Sequence, residues 1–360
     1  MSKLIINKKK LFENLNILNN LLEQKNIKWT LVTKILSGNK IVLNEILSHS
    51  IIKKIHSFGD SRISNLKTIK RINSKVTTMY IKPPSIKDVT NIVKYADISL
   101  NTSLKTITKL NQEAKLQNKI HKVIIMVELG ELREGVIKEN LLNFYSQCFN
   151  LTNIKIIGIG ANLGCMYGVE PTISKMKLLS DYKRKIEKKF NIKLKYISGG
   201  SSINLSLLNK DLPKTINHLR IGESAFLGTD PITSKRFKNL NTDVFNYQAN
   251  IIELKKKRSK PDGKISTANI GHTSNTFSKS ETYRAIVDFG ILDVDADQLI
   301  PKLKTVTFIC TTSDMSVYDL KQNIPINGKK KEVGSTIKFI PKYMAVAKLF
   351  LSKYTEIEIN

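Results

Sequence analysis

Several short segments carry residue types suited to activating an amine or holding an anion. Lys34 closes the apolar run Trp29-Thr30-Leu31-Val32-Thr33. An amine that projects from such a strand into a barrel mouth is partly desolvated, which lowers its pKa and favours Schiff-base chemistry. Taken alone, among 59 Lys and Arg residues, a lysine that snorkels to solvent is the simpler reading. Gly199-Gly200-Ser201-Ser202 follows the strand-like Lys195–Ser198. Glycines let backbone N–H groups approach an anion and the hydroxyls add donors, so this stretch suits a phosphate cradle as well as it suits a strand-to-helix turn capped by serine. In Arg220-Ile221-Gly222-Glu223 the guanidinium could donate to a ring nitrogen or an oxyanion, or pair with Glu223, and the Gly222-Glu223 backbone could extend the same cradle. Arg133, within Glu131-Leu132-Arg133-Glu134-Gly135, suits a phenolic oxygen or a carboxylate, or a local pair with Glu131 or Glu134. Asn162 and Gly59-Asp60-Ser61-Arg62 also fall at strand ends.

The elements that must position these residues repeat one texture from about Ile27 to about Gly228. Strand candidates are Trp29–Lys34, Lys54–Phe58, Val76–Ile81, Ile98–Asn101, Val123–Leu129, Ile154–Ala161, Lys195–Gly199 and His218–Ile221. Helix-period segments such as Ser85–Tyr95, Ser103–Leu116 and Thr172–Phe190 separate them, the last with Ile173, Met176, Leu179 and Ile186 near one face. Alternation of this kind is α/β. A count of eight tilts the choice from a doubly wound sheet to a (β/α)8 TIM barrel, in which active-site groups sit at the C-terminal strand ends. After Gly228 come Tyr247–Leu254, Tyr283–Phe289, Thr305–Thr311 and Ser335–Ile340, short and β-prone, without helical stretches between them. The expected domains are a barrel over 1–230 and a mostly β C-terminal domain over 231–360, joined through Thr229–Thr242.

The net charge of +29 is the feature most apt to mislead. A basic surface attracts phosphate backbones, yet the basic residues run along the whole chain and Lys greatly outnumbers Arg. Lys255-Lys256-Lys257-Arg258 and Lys329-Lys330-Lys331 lack interleaved aromatics that would stack on bases. Specific nucleic-acid binding is not expected; non-specific binding at low salt is. Three widely spaced cysteines fit reduced thiols, and no Cys/His cluster has metal-ligand spacing. No apolar run has the length of a membrane span, and the N-terminus lacks the apolar stretch of a secretory signal, so a cytoplasmic protein is expected.

In this order, the segments resemble the alanine racemase-like family of pyridoxal-phosphate (PLP) enzymes, most closely its alanine/ornithine racemase branch. The likeness runs through Val32–Asn39, Gly59–Arg62, Leu129–Val136, Gly158–Cys165, Ile197–Ser202 and Leu219–Glu223, then Thr312-Ser313-Asp314, Tyr318-Asp319, Tyr343 and Ser352-Lys353-Tyr354. It covers nearly the whole chain. The resemblance implies a PLP-binding barrel, an appended β domain and a head-to-tail homodimer. It implies an isomerase that interconverts the L and D forms of a free amino acid, alanine or a basic one such as ornithine. Lys34 would hold the cofactor as a Schiff base and Arg220 would face the pyridine nitrogen. Ser202, Gly222 and Glu223 would hold the phosphate with help from Ser201 or Tyr354, and Arg133 would approach the phenolic oxygen. Asn162, Ser313 and Asp314 would lie at the substrate, the last two from the partner subunit.

Inversion needs two acid/base groups on opposite faces. Lys34 is one; where the family has a Gly-Tyr segment this chain reads Ile270-Gly271-His272-Thr273, which makes His272 the candidate for the other. Glu131 stands where the branch usually has aspartate, Ser201 where it has asparagine, and Met315 where it has histidine. Another PLP reaction on this scaffold, of the decarboxylase or aldolase type, and a diverged non-catalytic PLP-binding protein are the alternative readings.

Overall fold

The computed structural model describes residues 1–258, 260–266, 268, 271, 281–325 and 330–360. It divides into two compact units, one of residues 12–241 and one of residues 1–11 with 242–360.

In chain order the elements are β1 (Ser2–Ile6), α1 (Lys8–Glu23), β2 (Lys28–Val32), α2 (Lys40–Ser48), β3 (Ser57–Asp60), α3 (Ile63–Ile72), β4 (Thr78–Tyr80), α4 (Val89–Tyr95), β5 (Ile98–Asn101), α5 (Leu104–Leu116), β6 (His121–Met126), α6 (Leu141–Phe149), β7 (Ile154–Gly160), α7 (Ile173–Phe190), β8 (Tyr196–Ser198), β9 (His218–Ile221) and α8 (Glu223–Leu227). Strands β2 to β9 pair in parallel with their sequence neighbours, and β2 also pairs β9, which closes an eight-stranded barrel. The alternating texture therefore belongs to a TIM barrel and not to a doubly wound sheet. One candidate strand is shifted. Lys53 and Lys54 are exposed at the end of a 3₁₀ turn, and the strand expected at Lys54–Phe58 occupies the fully buried Ser57–Asp60 instead.

The barrel interior is two-sided. Met79, Leu100, Ile124 and Met126 fill one side with an apolar cluster that also takes in the Tyr196 ring. Thr30, Ser57, His218, Ser198 and Arg220 line the other with hydrogen-bonded polar groups. Tyr196 fits because its neighbour on β7 is glycine: a Cβ on Gly158 would sit 2.5 Å from the Tyr196 carbonyl oxygen and 3.0 Å from its Cβ. Outside, α7 shows how the helices cover the strands. The Thr172 side chain caps it by accepting from Lys175 N–H, and Met176, Leu179 and Ile186 are buried at helical spacing.

The unit of residues 1–11 and 242–360 is a sheet in the order β12-β15-β10-β11-β14-β13, with β1 joined to β10 and β16. Its elements are β10 (Phe245–Lys257), β11 (Thr282–Val287), β12 (Leu299–Pro301), β13 (Thr307–Thr311), β14 (Ser316–Asp319), β15 (Thr336–Pro341), α9 (Tyr343–Leu349) and β16 (Thr355–Ile359). The pairing is antiparallel except between β1 and β16. A boundary at 230/231 overlooks two local ties. β1 is paired within this sheet, and in the other unit the Asn14 side chain exchanges hydrogen bonds with the Asn241 backbone, so the division falls at 241/242. Among the described residues no helix is long and apolar enough to cross a membrane.

Candidate active site

The C-terminal strand ends of the barrel bring together most of the residues singled out above. β2 stops at Val32, and Lys34 opens the 3₁₀ turn Lys34–Leu36. Its side chain is exposed, which corrects the expected desolvated amine: a residue beginning a turn outside the strand is not enclosed by the barrel wall. Two neighbours set its surroundings. Asp60, fully buried at the end of β3, accepts from Thr33 Oγ1 at 3.1 Å, Arg62 N–H at 2.9 Å and Asn65 Nδ2 at 3.1 Å, and so ties down the residue before Lys34. Burial pushes the Asp60 carboxyl up against the pull of those donors. Burial also raises Glu223, while the charge of Lys34 works the other way, which places the lysine and Glu223 within electrostatic reach of each other.

Arg220, 4% exposed, is held by its two terminal nitrogens. Nη1 donates to Ser198 O at 3.3 Å and to Ser198 Oγ, and Nη2 donates to Ala161 O at 2.8 Å and Asn162 Oδ1 at 3.3 Å. None of these bonds uses Nε, so that N–H is the one left for a ligand. The alternative pair with Glu223 is not formed. Burial lowers the Arg220 pKa to about 10, which Glu134 opposes and Arg133 reinforces. Asn162, expected at the substrate, is engaged with this guanidinium.

The glycine-serine turn has the geometry of its second sequence reading, a strand-to-helix turn capped by serine. Ser201 caps the 3₁₀ segment Ser202–Leu207, its N–H donating to Asn204 Oδ1 at 3.1 Å. Gly200 has φ +151, and a Cβ there would meet Asn204 Oδ1 at 1.9 Å, so only glycine lets the chain pass. Ser202 Oγ accepts from Gly222 N–H at 3.2 Å and Ser224 N–H at 3.3 Å, which joins the turn to the start of α8. The Gly222 N–H is therefore already taken. Glu223, at the first position of α8, has an N–H with no partner inside the helix.

Arg133 forms a two-pronged pair with Glu134, and its Nη1 lies 2.6 Å from Cys165 Sγ. Glu131 is not its partner. The Glu131 carboxylate, 1% exposed, accepts from the backbone N–H groups of Gly164, Cys165, Met166, Tyr167 and Val169. It thereby gathers the loop that follows Asn162. Burial alone would raise this carboxyl, but the donors bring it down to about 2. A depressed carboxylate pKa stabilises the fold above the ordinary value of 4.5 and loses that contribution as pH falls through about 2. Glu131→Gln should cost about 2 kcal/mol, since an amide oxygen replaces a charged acceptor shared by several donors. Protection factors over 164–169, taken relative to the intrinsic exchange rate at each pH, should fall in the variant, and in the parent as pH drops from 4.5 through about 2; unchanged protection would refute the anchoring role.

In the other unit, Ser313, Asp314 and Tyr354 are exposed. Ser313 Oγ donates to Asp314 Oδ1 at 3.1 Å, and Tyr354 N–H to Ser352 Oγ at 3.1 Å. His272 lies outside the described residues. Among those residues no group of three or more His, Cys, Asp or Glu side chains is arranged to hold a metal. Asp60 was singled out only as part of a strand-end segment, and its tie to Thr33, like the loop-anchoring role of Glu131, escaped the sequence reading. Their signal was a carboxylate at a buried strand end and one beside a glycine-rich loop.

A lysine just past the first barrel strand and a buried arginine on the last stand at the C-terminal strand ends, where barrel enzymes carry their active sites. The profile of the alanine racemase N-terminal domain matches residues 6–230. The chain is 36% identical to an ornithine racemase of Acetoanaerobium sticklandii over 99% of both chains. It is 29% identical to a lysine racemase of Thermotoga maritima over 98% of this chain and 97% of that one. The crystal structure of an alanine racemase from D-cycloserine-producing Streptomyces lavendulae superposes with a TM-score of 0.74 at 11% identity, covering 100% of this chain and 97% of that one. The chain belongs to the alanine racemase family and is an amino-acid racemase.

Proposed function

We propose that this racemase inverts the α-carbon of a free basic amino acid, ornithine foremost, with PLP as its cofactor, and that it works as a cytoplasmic homodimer. The observation that carries the substrate is the full-length identity of 36% with an ornithine racemase. The site fits the cofactor in three respects. Arg220 keeps an uncommitted Nε–H, the Ser201-Ser202 turn is joined to the start of α8 where the Glu223 N–H lacks a helical partner, and the Lys34 amine is exposed at the same strand ends. In the proposal Lys34 binds PLP covalently, Arg220 donates to its ring nitrogen, and Ser201, Ser202, Gly222, Glu223 and Tyr354 serve the phosphate. Because the Gly222 N–H is already bonded to Ser202 Oγ, Gly222 contributes the shape of the turn more than a donor.

Bound PLP draws electron density from the α-carbon and so makes its proton removable. Everything else falls to the chain. Lys34 Nζ takes or returns the α-proton on one face, and His272 is the proposed partner on the other. Arg220 offers N–H to the ring nitrogen without giving up a proton, because even at about 10 its pKa lies well above neutrality. Arg133, through its guanidinium edge, and Asn162, Ser313 and Asp314 complete the proposed contacts to cofactor and substrate.

Incubating the protein with L-ornithine in deuterium oxide tests the reading. Chiral chromatography should show D-ornithine, and mass spectrometry one deuterium at the α-carbon with no carbon lost. L-Lysine should react more slowly and L-alanine more slowly still. Release of carbon dioxide or of an aldehyde would replace racemisation by decarboxylase or aldolase chemistry, and no exchange with any amino acid would point to a non-catalytic protein.

A further inference from the structure

A hydrogen-bonded chain crosses the inside of the barrel from Arg220 to Tyr196. Arg220 Nη1 donates to Ser198 Oγ, which lies 2.9 Å from His218 Nδ1. His218 Nε2 is 3.0 Å from Thr30 Oγ1, which is 2.7 Å from Ser57 Oγ. Ser57 Oγ is 3.1 Å from His56 Nδ1, and His56 Nε2 is 3.0 Å from Tyr196 Oη. Ser57, Ser198, Thr30 and His218 have no exposure at all.

The first member dictates the direction. A guanidinium can only donate, and a serine hydroxyl has one hydrogen. Were the His218 proton on Nδ1, Ser198 Oγ would accept from both sides and its own hydrogen would have no taker among the described residues at a position with no exposure, an arrangement buried groups avoid. With the proton on Nε2 the one hydroxyl hydrogen left over is that of Tyr196, at the part-buried end of the chain beside His56, and not that of Ser198, which has no exposure. Ser198 donates to Nδ1, Nε2–H to Thr30, Thr30 to Ser57, Ser57 to His56, and His56 to Tyr196.

We propose that His218 is a positioning residue for Arg220: its unprotonated Nδ1 takes the Ser198 hydroxyl hydrogen, keeps a serine lone pair against Nη1 and so fixes the plane of the guanidinium. The catalytic consequence rests on the assignment of Arg220 to the ring nitrogen of PLP; the tautomer does not. The groups facing His218 are the His56 ring at 5.3 Å, the Tyr196 ring at 5.6 Å and Arg220, with Lys28, Lys195 and Lys122 acting on His56 in turn. Burial first, then the charges of His56 and Arg220, holds the imidazole of His218 well below its ordinary pKa, so the ring stays neutral when the solution turns mildly acidic.

Long-range proton–nitrogen spectra of the full-length protein, labelled with ¹⁵N-histidine, read the tautomer directly. The expected signature for His218, assigned by its loss in His218→Asn, is a neutral Nε2–H ring unchanged between about pH 5 and 9. An Nδ1–H ring, or a cation in that range, would overturn the proposal. Two variants add the functional half. His218→Asn keeps an acceptor near the Nδ1 position, whereas His218→Leu fills space without one. The leucine variant should lower turnover about 10–100-fold with KM little changed and shift the visible band of bound PLP. The asparagine variant should recover most of the loss. Leucine outperforming asparagine would mean that His218 only fills space, and the idea would fall. A parent protein with no visible PLP band would fail the cofactor reading alone, and the tautomer would then decide the His218 proposal unaided.

Discussion

Replacing Lys34 by alanine should reduce racemisation by about 10⁴-fold and abolish covalent attachment of PLP while leaving the fold intact. The side chain is exposed and begins a 3₁₀ turn whose other residues, Ile35 and Leu36, supply the buried contacts. Truncating it therefore removes no core packing, and a change of stability within about 0.5 kcal/mol is expected. Borohydride reduction of the parent followed by peptide mapping should find a pyridoxyl group on Lys34, and the variant should carry none. Lys34→Arg sharpens the test: it preserves the charge that acts on Glu223 but provides neither a nucleophilic amine nor a group that titrates in the working range. Both variants should be equally inactive. A pyridoxyl label on another lysine, or an arginine variant that turns over, would remove Lys34 from the centre of the mechanism.

The barrel was legible in the sequence because its strands are short β-branched runs buried on both faces, separated by helices with apolar faces at a clear spacing. The shift at β3 shows where that signal fails. Ser57-Phe58-Gly59-Asp60 is fully buried, yet the expected strand stopped at Phe58 and left the glycine and aspartate beyond its end. The interior demands those residue types: Ser57 joins the hydrogen-bonded chain, and Asp60 holds Thr33. Likewise β1 and α1 went unread because their partners lie far along the chain. β1 pairs with β10 and β16, and the buried spacing Leu11, Leu15, Leu18 and Leu22 of α1 follows directly on three lysines that look like a solvated end.

For the candidate site, the sequence names residues but not their bonding. Arg133 and Arg220 each had an ion pair as the plain alternative; the pair formed at Arg133, with Glu134, and not at Arg220. The difference is depth. Arg133 is half-buried beside a glutamate next in sequence, whereas Arg220 points into an interior whose acceptors are carbonyl, hydroxyl and amide oxygens. Sequence spacing finds local partners but not those supplied across a barrel. For the same reason Glu131, read as a departure from an aspartate position, acquires its role only when five loop N–H groups converge on it.

Arg220→Met should lower turnover by about 10²–10³-fold, the usual cost of removing one preorganised donor, and yet leave the protein at least as stable as its parent. The two effects have one origin. Burial lowers the guanidinium pKa from 12.5 to about 10, so the folded state disfavours the charged form. By linkage that penalty is fully present below about pH 10, amounts to about 3 kcal/mol, and fades only as pH rises toward the ordinary value. Methionine has a comparable reach and no charge to desolvate, so it lifts the penalty; against this stands the loss of bonds to Ala161 O and Asn162 Oδ1, while Ser198 O keeps the Ala161 N–H and the Ser198 hydroxyl keeps His218. A melting midpoint at or above that of the parent, measured near neutral pH, together with the fall in turnover, would identify Arg220 as a charge held in the barrel for catalysis at a cost to folding. If the variant melted well below the parent and kept its activity, the guanidinium would be a structural tie between β7, β8 and β9, and its place at the cofactor would have to be given up.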